Sequence, residues 1–539
     1  MTNQFILLKR FCEQHLHLLL AVITISISII ATAYFYFHGL ETLSNYDAMA
    51  RLNLTRKLID SLTPGVGQFG AIWLPFPQVL MLPFIWNNFL WHTGLAGSII
   101  SEAAFIAGAL YLQKTAFFIT KSIKASLVVW FMFVTNINIL LFQSMPMSES
   151  FFLFCIIMVL YFLTKWVMTH DIVAFLSTAF FVMIGTLTRY EGYFILVGAL
   201  CAVCIELVLL YWKKKNFSKI EGMILVFLTI AGYGIFLWCL YCFIFFKDPL
   251  HWLHLYSGNN GDGSIIPSQN SHKGILESFT VYSEITIWIS GLLNSFLGIA
   301  GFLALVGSLT SIMRKKKKVN IYLPLFIITV VLFPMLIYGY QKGYIPPVVY
   351  ENITLQHILS KSFNIYLYGD PDAPNIRYGI IMVPFIALFT GFLIGKRKVL
   401  VGIAIILICF QLFTNFFTPL LLQFSVPRAS HYVALPSAAW LKEHYTGGLI
   451  LTSATTNENF MFQTGLPYHD FIYEGTQHYW KNSLTNPARY ATWVMDQNLV
   501  RGDLIYDTLS PSASTILQKK FKLVYSDREH YYIYHLVSR

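Results

Sequence analysis

Ser44-Asn45-Tyr46-Asp47-Ala48-Met49-Ala50-Arg51 (SNYDAMAR, 44–51) follows the first long apolar run of the chain, about 16–38. It puts a carboxylate close to where that run ends. A membrane-crossing helix needs about 20 apolar residues, so the run is long enough to span and Asp47 falls where a span should be surfacing. The run has no small-residue cleavage site and reads as a retained helix, not a signal peptide. A tyrosine precedes the acid, and Arg51, Arg56 and Lys57 follow it.

Composition extends that reading to most of the chain. Of 539 residues, 56% are hydrophobic and 17% aromatic, and only 12% are charged. Soluble domains carry about 25% charged residues; with a mean hydropathy of +0.60, the deficit means that lipid solvates most of the surface. The net charge of +11 does not indicate nucleic acid. The basic residues fall in short runs between apolar segments, as in WKKKNFSK (212–219), RKKKK (314–318) and GKRK (395–398). That is the pattern of a multi-pass membrane protein obeying the positive-inside rule. All seven cysteines lie in or beside apolar spans and read as small hydrophobes. None falls in the polar C-terminal region, which excludes a disulfide framework there.

Eleven candidate spans follow: 16–38, 95–113, 125–142, 150–164, 172–188, 193–211, 222–246, 290–312, 320–339, 379–395 and 399–421. Alternating them from a cytoplasmic N-terminus puts 18 basic residues in inner segments, 9 in outer loops and 10 in the tail. The expected protein is a multi-pass cell-membrane protein, mainly α, with a transmembrane domain at 1–421, a long first outer loop at 39–94 and an extracytoplasmic α/β domain at 422–539. In the tail, WLKEH (440–444) reads as a helix end and GGLILTSAT (447–455) as a buried strand. ATWVMDQNLVRGDLIYD (491–507) reads as helix, glycine turn, strand, and FKLVYS (521–526) with YYIYHL (531–536) as a closing hairpin. Strands alternating with helices indicate a small α/β domain.

Ionisable groups at membrane depth are costly and mark function. On the expected outer face they are Asp47, Glu149 in QSMPMSES (143–150), Arg189 and Glu191 in TRYEGY (188–193), and Arg377 in NIRYGIIMVP (375–384). Each has a plain structural alternative: an i, i+4 ion pair of Asp47 with Arg51, a helix N-terminal acid at Glu149, snorkelling arginines. Their shared placement at the ends of different spans favours one cavity. A carboxylate can take the proton of an attacking hydroxyl, and arginine offers a planar fork for phosphate. A phosphate on a long lipid must sit at headgroup level. Displacement of a polyprenyl phosphate from a sugar's anomeric carbon fits both groups.

These residues resemble the GT-C superfamily of lipid-linked-sugar glycosyltransferases, in its bacterial branch with protein O-mannosyltransferases and the aminoarabinose transferase of lipid A. The likeness rests on NYDAMARLN (45–53), PGVGQFGAIWLPFPQVLMLPF (64–84), MPMSE (145–149), RYEG (189–192) and RYGIIMVP (377–384), and on the order of these pieces over nearly the whole chain. It implies a polyprenyl-phosphate-linked sugar donor, a glycan, lipid or protein acceptor, and inversion at the anomeric carbon. Asp47 would then be the general base and Glu149 the second acid, holding the acceptor or, where members use one, a divalent cation. Arg377 would neutralise the departing phosphate, helped by Arg189 or Lys342. Tyr46, Arg51, Glu102, Glu191 and Tyr378 would line the substrates. Protein O-mannosyltransferases carry an Asp-Glu pair after the first span, whereas Ala48 follows Asp47 here, which argues against a protein acceptor. No metal-ligand spacing is evident, so a metal is optional.

The first outer loop sets Trp73, Phe76, Trp86 and Trp91 among prolines 64, 75, 77 and 83; such aromatics suit the headgroup zone, and short interfacial helices are expected there. The loops at 258–274 and 341–357 are expected to be acceptor-side lids. A polysaccharide polymerase or ligase is the alternative within this chemistry, but the outer loops lack its expected arginines. A transporter is the alternative outside it; Glu102, in SIISEAAF (98–105), is the main charge favouring transport, but no internal repeat accompanies it.

Overall fold

The computed structural model describes residues 2–37, 41–43, 45–257, 274–314, 321–342, 376–397, 399–417, 434–497, 504–509, 515–527 and 531–537. Apart from their edges, the segments expected to be lids lie outside this set. The chain forms two compact units. One comprises Met1–His38, Ile99–Leu250 and Ile266–Ala429; the other comprises Gly39–Ser98, His251–Ile265 and Ser430–Arg539.

The first unit is helical. Among the described residues of the chain, eight helices are long and apolar enough to cross a membrane, and nine if Ile123–Val134 and Ile137–Gln143 count as one bent span. The expected count of eleven is not established. Within the expected spans 172–188 and 399–421 the described helices are Ile172–Thr186, of 15 residues, and Leu400–Phe417, of 18; the first is shorter than an untilted crossing needs. The spans expected at 150–164 and 379–395 are longer as helices, Glu149–Thr169 and Arg377–Lys396.

Packing between these helices relies on close backbone approach. A Cβ on Gly301 would lie 2.0 Å from the Phe389 carbonyl oxygen, and one on Gly391 would lie 2.4 Å from Val129 Cγ2. In lipid no hydrophobic drive pulls apolar helices together, so small residues that admit tight van der Waals contact do that work.

The bend between Ile123–Val134 and Ile137–Gln143 is 60°, and its cause is local. The Asn136 side-chain oxygen caps the second segment, accepting from the amides of Asn138 at 3.0 Å and Ile139 at 3.2 Å. The side-chain nitrogens of Asn136 and Asn138 both donate to the Ile289 carbonyl, at 2.9 and 3.0 Å. Beyond the bend, the Ser28 hydroxyl donates to Gln143 Oε1 at 2.6 Å, and Gln143 Nε2 donates to Thr32 Oγ1 at 3.2 Å and Ser144 Oγ at 2.8 Å. The Ser101 hydroxyl donates to the Met145 carbonyl at 2.8 Å. The Asn136 cap and the Ser101 bond satisfy backbone groups of the broken segment, which lipid would leave bare, and the side-chain bonds hold the turn that leads to Glu149.

The second unit contains a five-stranded sheet. Its strands are β1 (Ile450–Leu451), β2 (Phe471–Ile472), β3 (Trp493–Gln497), β4 (Phe521–Ser526) and β5 (Tyr531–Leu536), in the order β2-β1-β3-β5-β4. β1 runs parallel to β2 and β3, while β3–β5 and β4–β5 are antiparallel. The strand near 450, the helix ending at His444 and the closing hairpin agree with the sequence reading. The 491–507 stretch does not: Trp493–Gln497 is the strand and Leu504–Leu509 the helix, the reverse of the expected order. Trp493 to Asp496 are buried in mid-sheet, where pairing on both edges overrides helical propensity. Leu451, Ile472, Val494, Ile505, Leu517 and Phe521 form the core, with Leu62 of the first loop packed against it.

The segment 39–94, expected as the first outer loop, contributes the helices Tyr46–Lys57, Phe76–Ile85 and Asn88–His92 to this same unit. Asn53 Nδ2 donates to the Glu458 carbonyl at 3.0 Å and to Glu458 Oε2 at 2.9 Å. Lys57, 5% exposed at its side chain, pairs with Glu458 Oε1 and stands 4.6 Å from the Tyr473 ring centre. Asp60 Oδ2 receives Arg56 Nε at 3.0 Å and Asp60 Oδ1 lies 2.6 Å from His469 Nδ1. Loop and tail are therefore one folded body.

Candidate functional site

The charged residues of the first unit converge. Glu149 opens the Glu149–Thr169 helix with its side chain 1% exposed. Arg189 lies in the turn between Ile172–Thr186 and the Gly192–Tyr211 helix. Arg189 Nη1 donates to Glu149 Oε1 at 2.8 Å and to Ser148 Oγ at 3.2 Å. Its Nη2 and Nε donate to the two oxygens of Glu191, at 2.7 and 3.2 Å. Arg377, at the start of the 376–382 turn, brings Nε to 2.8 Å from the same Glu149 Oε1. One carboxylate oxygen thus bridges two guanidinium groups from distant segments.

Tyr378 completes the group. Both guanidinium carbons lie 5.5 Å from its ring centre, within cation–π range. The buried Tyr282 donates its hydroxyl to the Tyr378 carbonyl at 3.0 Å, holding the turn in place. Among the described residues, two positive and two negative charges meet here. Burial works against the charge of Arg189, yet Glu191 and Glu149 raise its pKa well above the ordinary arginine value, so it remains cationic.

The other expected residues are placed elsewhere. Asp47 lies in the second unit, half-buried in the first turn of Tyr46–Lys57, and its amide donates to Asn45 Oδ1 at 2.9 Å. An acid there complements the helix N-terminus. The Tyr46 side chain lies outside the described set. Arg51, 4% exposed, has its guanidinium 5.1 Å from the Trp73 ring centre. Glu102, half-buried in Leu95–Thr120, receives a hydrogen bond from Thr32 and so joins the patch of Gln143 and Ser144. Lys342 is exposed at the end of Leu323–Gln341, its ammonium 5.6 Å from the Tyr338 ring centre.

Tyr282 and Ser148 were not singled out in sequence. Tyr282 sits in an ordinary amphipathic helix and carries no motif; Ser148 precedes Glu149 and reads as a cap. Among the described residues, no three His, Cys, Asp or Glu side chains could hold a metal ion together.

No protein-family model matches the sequence, and no curated protein matches it. Solved structures do match in fold. The structure of ArnT from Cupriavidus metallidurans bound to undecaprenyl phosphate aligns with a TM-score of 0.55 at 10% identity, over 95% of this chain and 97% of that one. The apo structure of the same protein aligns with a TM-score of 0.52 at 11% identity, with the same coverage. The fold is of the GT-C type. At this identity the likeness speaks for architecture over the whole chain, including the tail domain, and the GT-C fold here is built on a sequence that shares few side chains with those structures.

Proposed function

We propose that this chain is an integral-membrane glycosyltransferase that moves a sugar from a polyprenyl-phosphate donor to a hydroxyl or phosphate acceptor, with inversion at the anomeric carbon. The observation that carries the proposal is the chain-long likeness to a GT-C structure that holds undecaprenyl phosphate. The buried arginine cluster of the first unit supports it. In this reading the acceptor oxygen attacks the anomeric carbon, its proton passes to the Asp47 carboxylate, and the bond from that carbon to the phosphate oxygen breaks. The lipid phosphate leaves with the electron pair, and arginine stabilises the added negative charge. Asp47 is assigned as base from its place in the NYDAMARLN motif.

Within the cluster the roles separate. Arg189 commits all three nitrogens to Ser148, Glu149 and Glu191, so it acts as a positioning residue. Arg377 is the residue we assign to the donor phosphate. Glu149 orients both guanidinium groups instead of acting as an acid or base.

The test is transfer by the purified chain in nanodiscs, with radiolabelled sugars on undecaprenyl phosphate and a panel of lipid and glycan acceptors. Asp47→Asn should stay folded, as judged by size exclusion and thermal unfolding, and lose transfer by about 10²–10⁴-fold, the usual worth of a general base. Undiminished transfer by that variant removes the base assignment. Failure of the parent chain on every lipid-linked donor removes the function.

A further inference from the structure

The hairpin joining the membrane-crossing helices Gly192–Lys214 and Phe217–Phe246 carries a groove of about 360 Å³. Val208, Trp212, Phe217, Ile224 and Leu225 supply its apolar walls, and Glu221 is its one acidic lining residue. Trp212 and Phe217 meet edge-to-face with ring centres 5.1 Å apart. They do so across a tight turn in which Lys215 adopts φ 53° and the Asn216 side chain accepts from the Lys219 amide at 3.2 Å.

Four lysines surround this turn. Lys213, Lys214, Lys215 and Lys219 are all exposed, and none makes an ion pair among the described residues. The ammonium groups of Lys219 and Lys214 lie 4.7 and 5.8 Å from the ring centre of Tyr211, one residue before the groove-lining Trp212. Against Glu221, the four lysines leave a local excess of positive charge. The apolar slot therefore lies beside an unneutralised cationic rim, at the end of two helices long and apolar enough to cross a membrane.

We propose that this hairpin is a binding site for an anionic phospholipid, with an acyl chain in the groove and the phosphate among Lys213, Lys214, Lys215 and Lys219. Apolar slot and cationic rim match the two halves of such a lipid. A soluble anion would use only the rim, and a zwitterionic lipid would gain little from the excess charge. The site is separate from the glycosyl-transfer reading and does not depend on it.

The test uses the full-length chain in a nonionic detergent, titrated with dioleoylphosphatidylglycerol or dioleoylphosphatidylcholine and read by native mass spectrometry. The parent chain should retain the glycerol lipid at least about tenfold more tightly than the choline lipid, since each lysine near a phosphate is worth about fivefold. K213Q/K214Q/K215Q/K219Q should abolish that preference, and Ile224→Trp, which fills the groove, should weaken both lipids. Lipid-free melting temperatures confirm that the variants fold; should the quadruple variant fail to, K213Q/K219Q gives the same comparison with a smaller expected loss. Equal retention of the two lipids by the parent, or an unchanged preference in the lysine variants, overturns the proposal.

Discussion

Glu149→Gln tests the cluster most directly. In the parent, one carboxylate oxygen stands 2.8 Å from Arg189 Nη1 and 2.8 Å from Arg377 Nε. The side chains are 1%, 8% and 10% exposed, so water compensates little when the charge is removed. Two unit charges about 4 Å apart attract by roughly 4 kcal/mol at an effective dielectric constant near 20, but desolvation offsets much of that. Removing one partner of a buried pair costs about 3–5 kcal/mol, because it strands the other charge.

Here the stranding is partial. Arg189 keeps both oxygens of Glu191, so the lower end, about 3 kcal/mol, is expected. Glu191→Gln should cost less, since Glu191 is 13% exposed and Arg189 keeps Glu149. The assay is equilibrium unfolding in mixed micelles on Glu149→Gln, Arg377→Met and the double variant. The cycle should show a favourable coupling of about 1–3 kcal/mol, as expected for residues in contact. If Glu149→Gln unfolds within about 0.5 kcal/mol of the parent, and the coupling is nil, the carboxylate does not hold the arginines and the site has been misread.

Three further outcomes follow from the same structure. Arg377→Ala should raise the donor KM more than the acceptor KM, while Lys342→Ala, on an exposed lysine, should change either far less; equal effects of the two would remove Arg377 from the donor phosphate. His92 is held to a pKa of about 4 by burial and by the nearby positive charges of Lys442 and Arg56. A depressed histidine contributes stability in full above its ordinary value of 6.5 and loses it as pH falls toward 4, so Lys442→Gln should lessen the acid sensitivity of unfolding between those values; superimposable pH profiles would refute the coupling. A cysteine placed at the exposed Glu443 should react with an impermeant maleimide added outside intact cells, and labelling only after lysis would reverse the expected orientation.

Much of the architecture was legible because apolar runs and basic punctuation are one-dimensional signals. The charge cluster was legible for a related reason: Glu149, Arg189, Glu191 and Arg377 interrupt or border apolar stretches, and charges there must find one another. Their detailed pairing was not. Sequence cannot say that one oxygen of Glu149 serves two arginines, a matter of helix rotation, nor that Tyr282 props the turn of Tyr378. The order of strand and helix in 491–507 was misjudged because WVMDQ is a strand only by virtue of the neighbours that pair with it. The span count of eleven is not established among the described residues, where eight helices, or nine with the bent pair, are long and apolar enough to cross.

The docking of the first loop on the tail was beyond the sequence altogether, because Lys57 and Glu458 lie 401 positions apart. Its spacing nonetheless has a plain logic. Asn53 and Lys57 are i, i+4 on one helix, and Asp60 and Ser61 continue the same side past its end. All four meet tail residues: Glu458 for the first two, His469 for Asp60, and Tyr473, whose hydroxyl lies 2.8 Å from Ser61 Oγ. The helix that bears Asp47 on its first turn is therefore gripped by the tail along its last turn and beyond. Burial raises the Asp60 pKa, but hydrogen bonds from His469 and Arg56 more than reverse this and hold it below the ordinary carboxylate value, so this part of the grip is lost only in acid. A chain whose proposed base stands on a helix only twelve residues long needs such an anchor, since helices of that length are marginal by themselves. The polar tail supplies it, which gives the C-terminal domain a mechanical role in the proposed transferase.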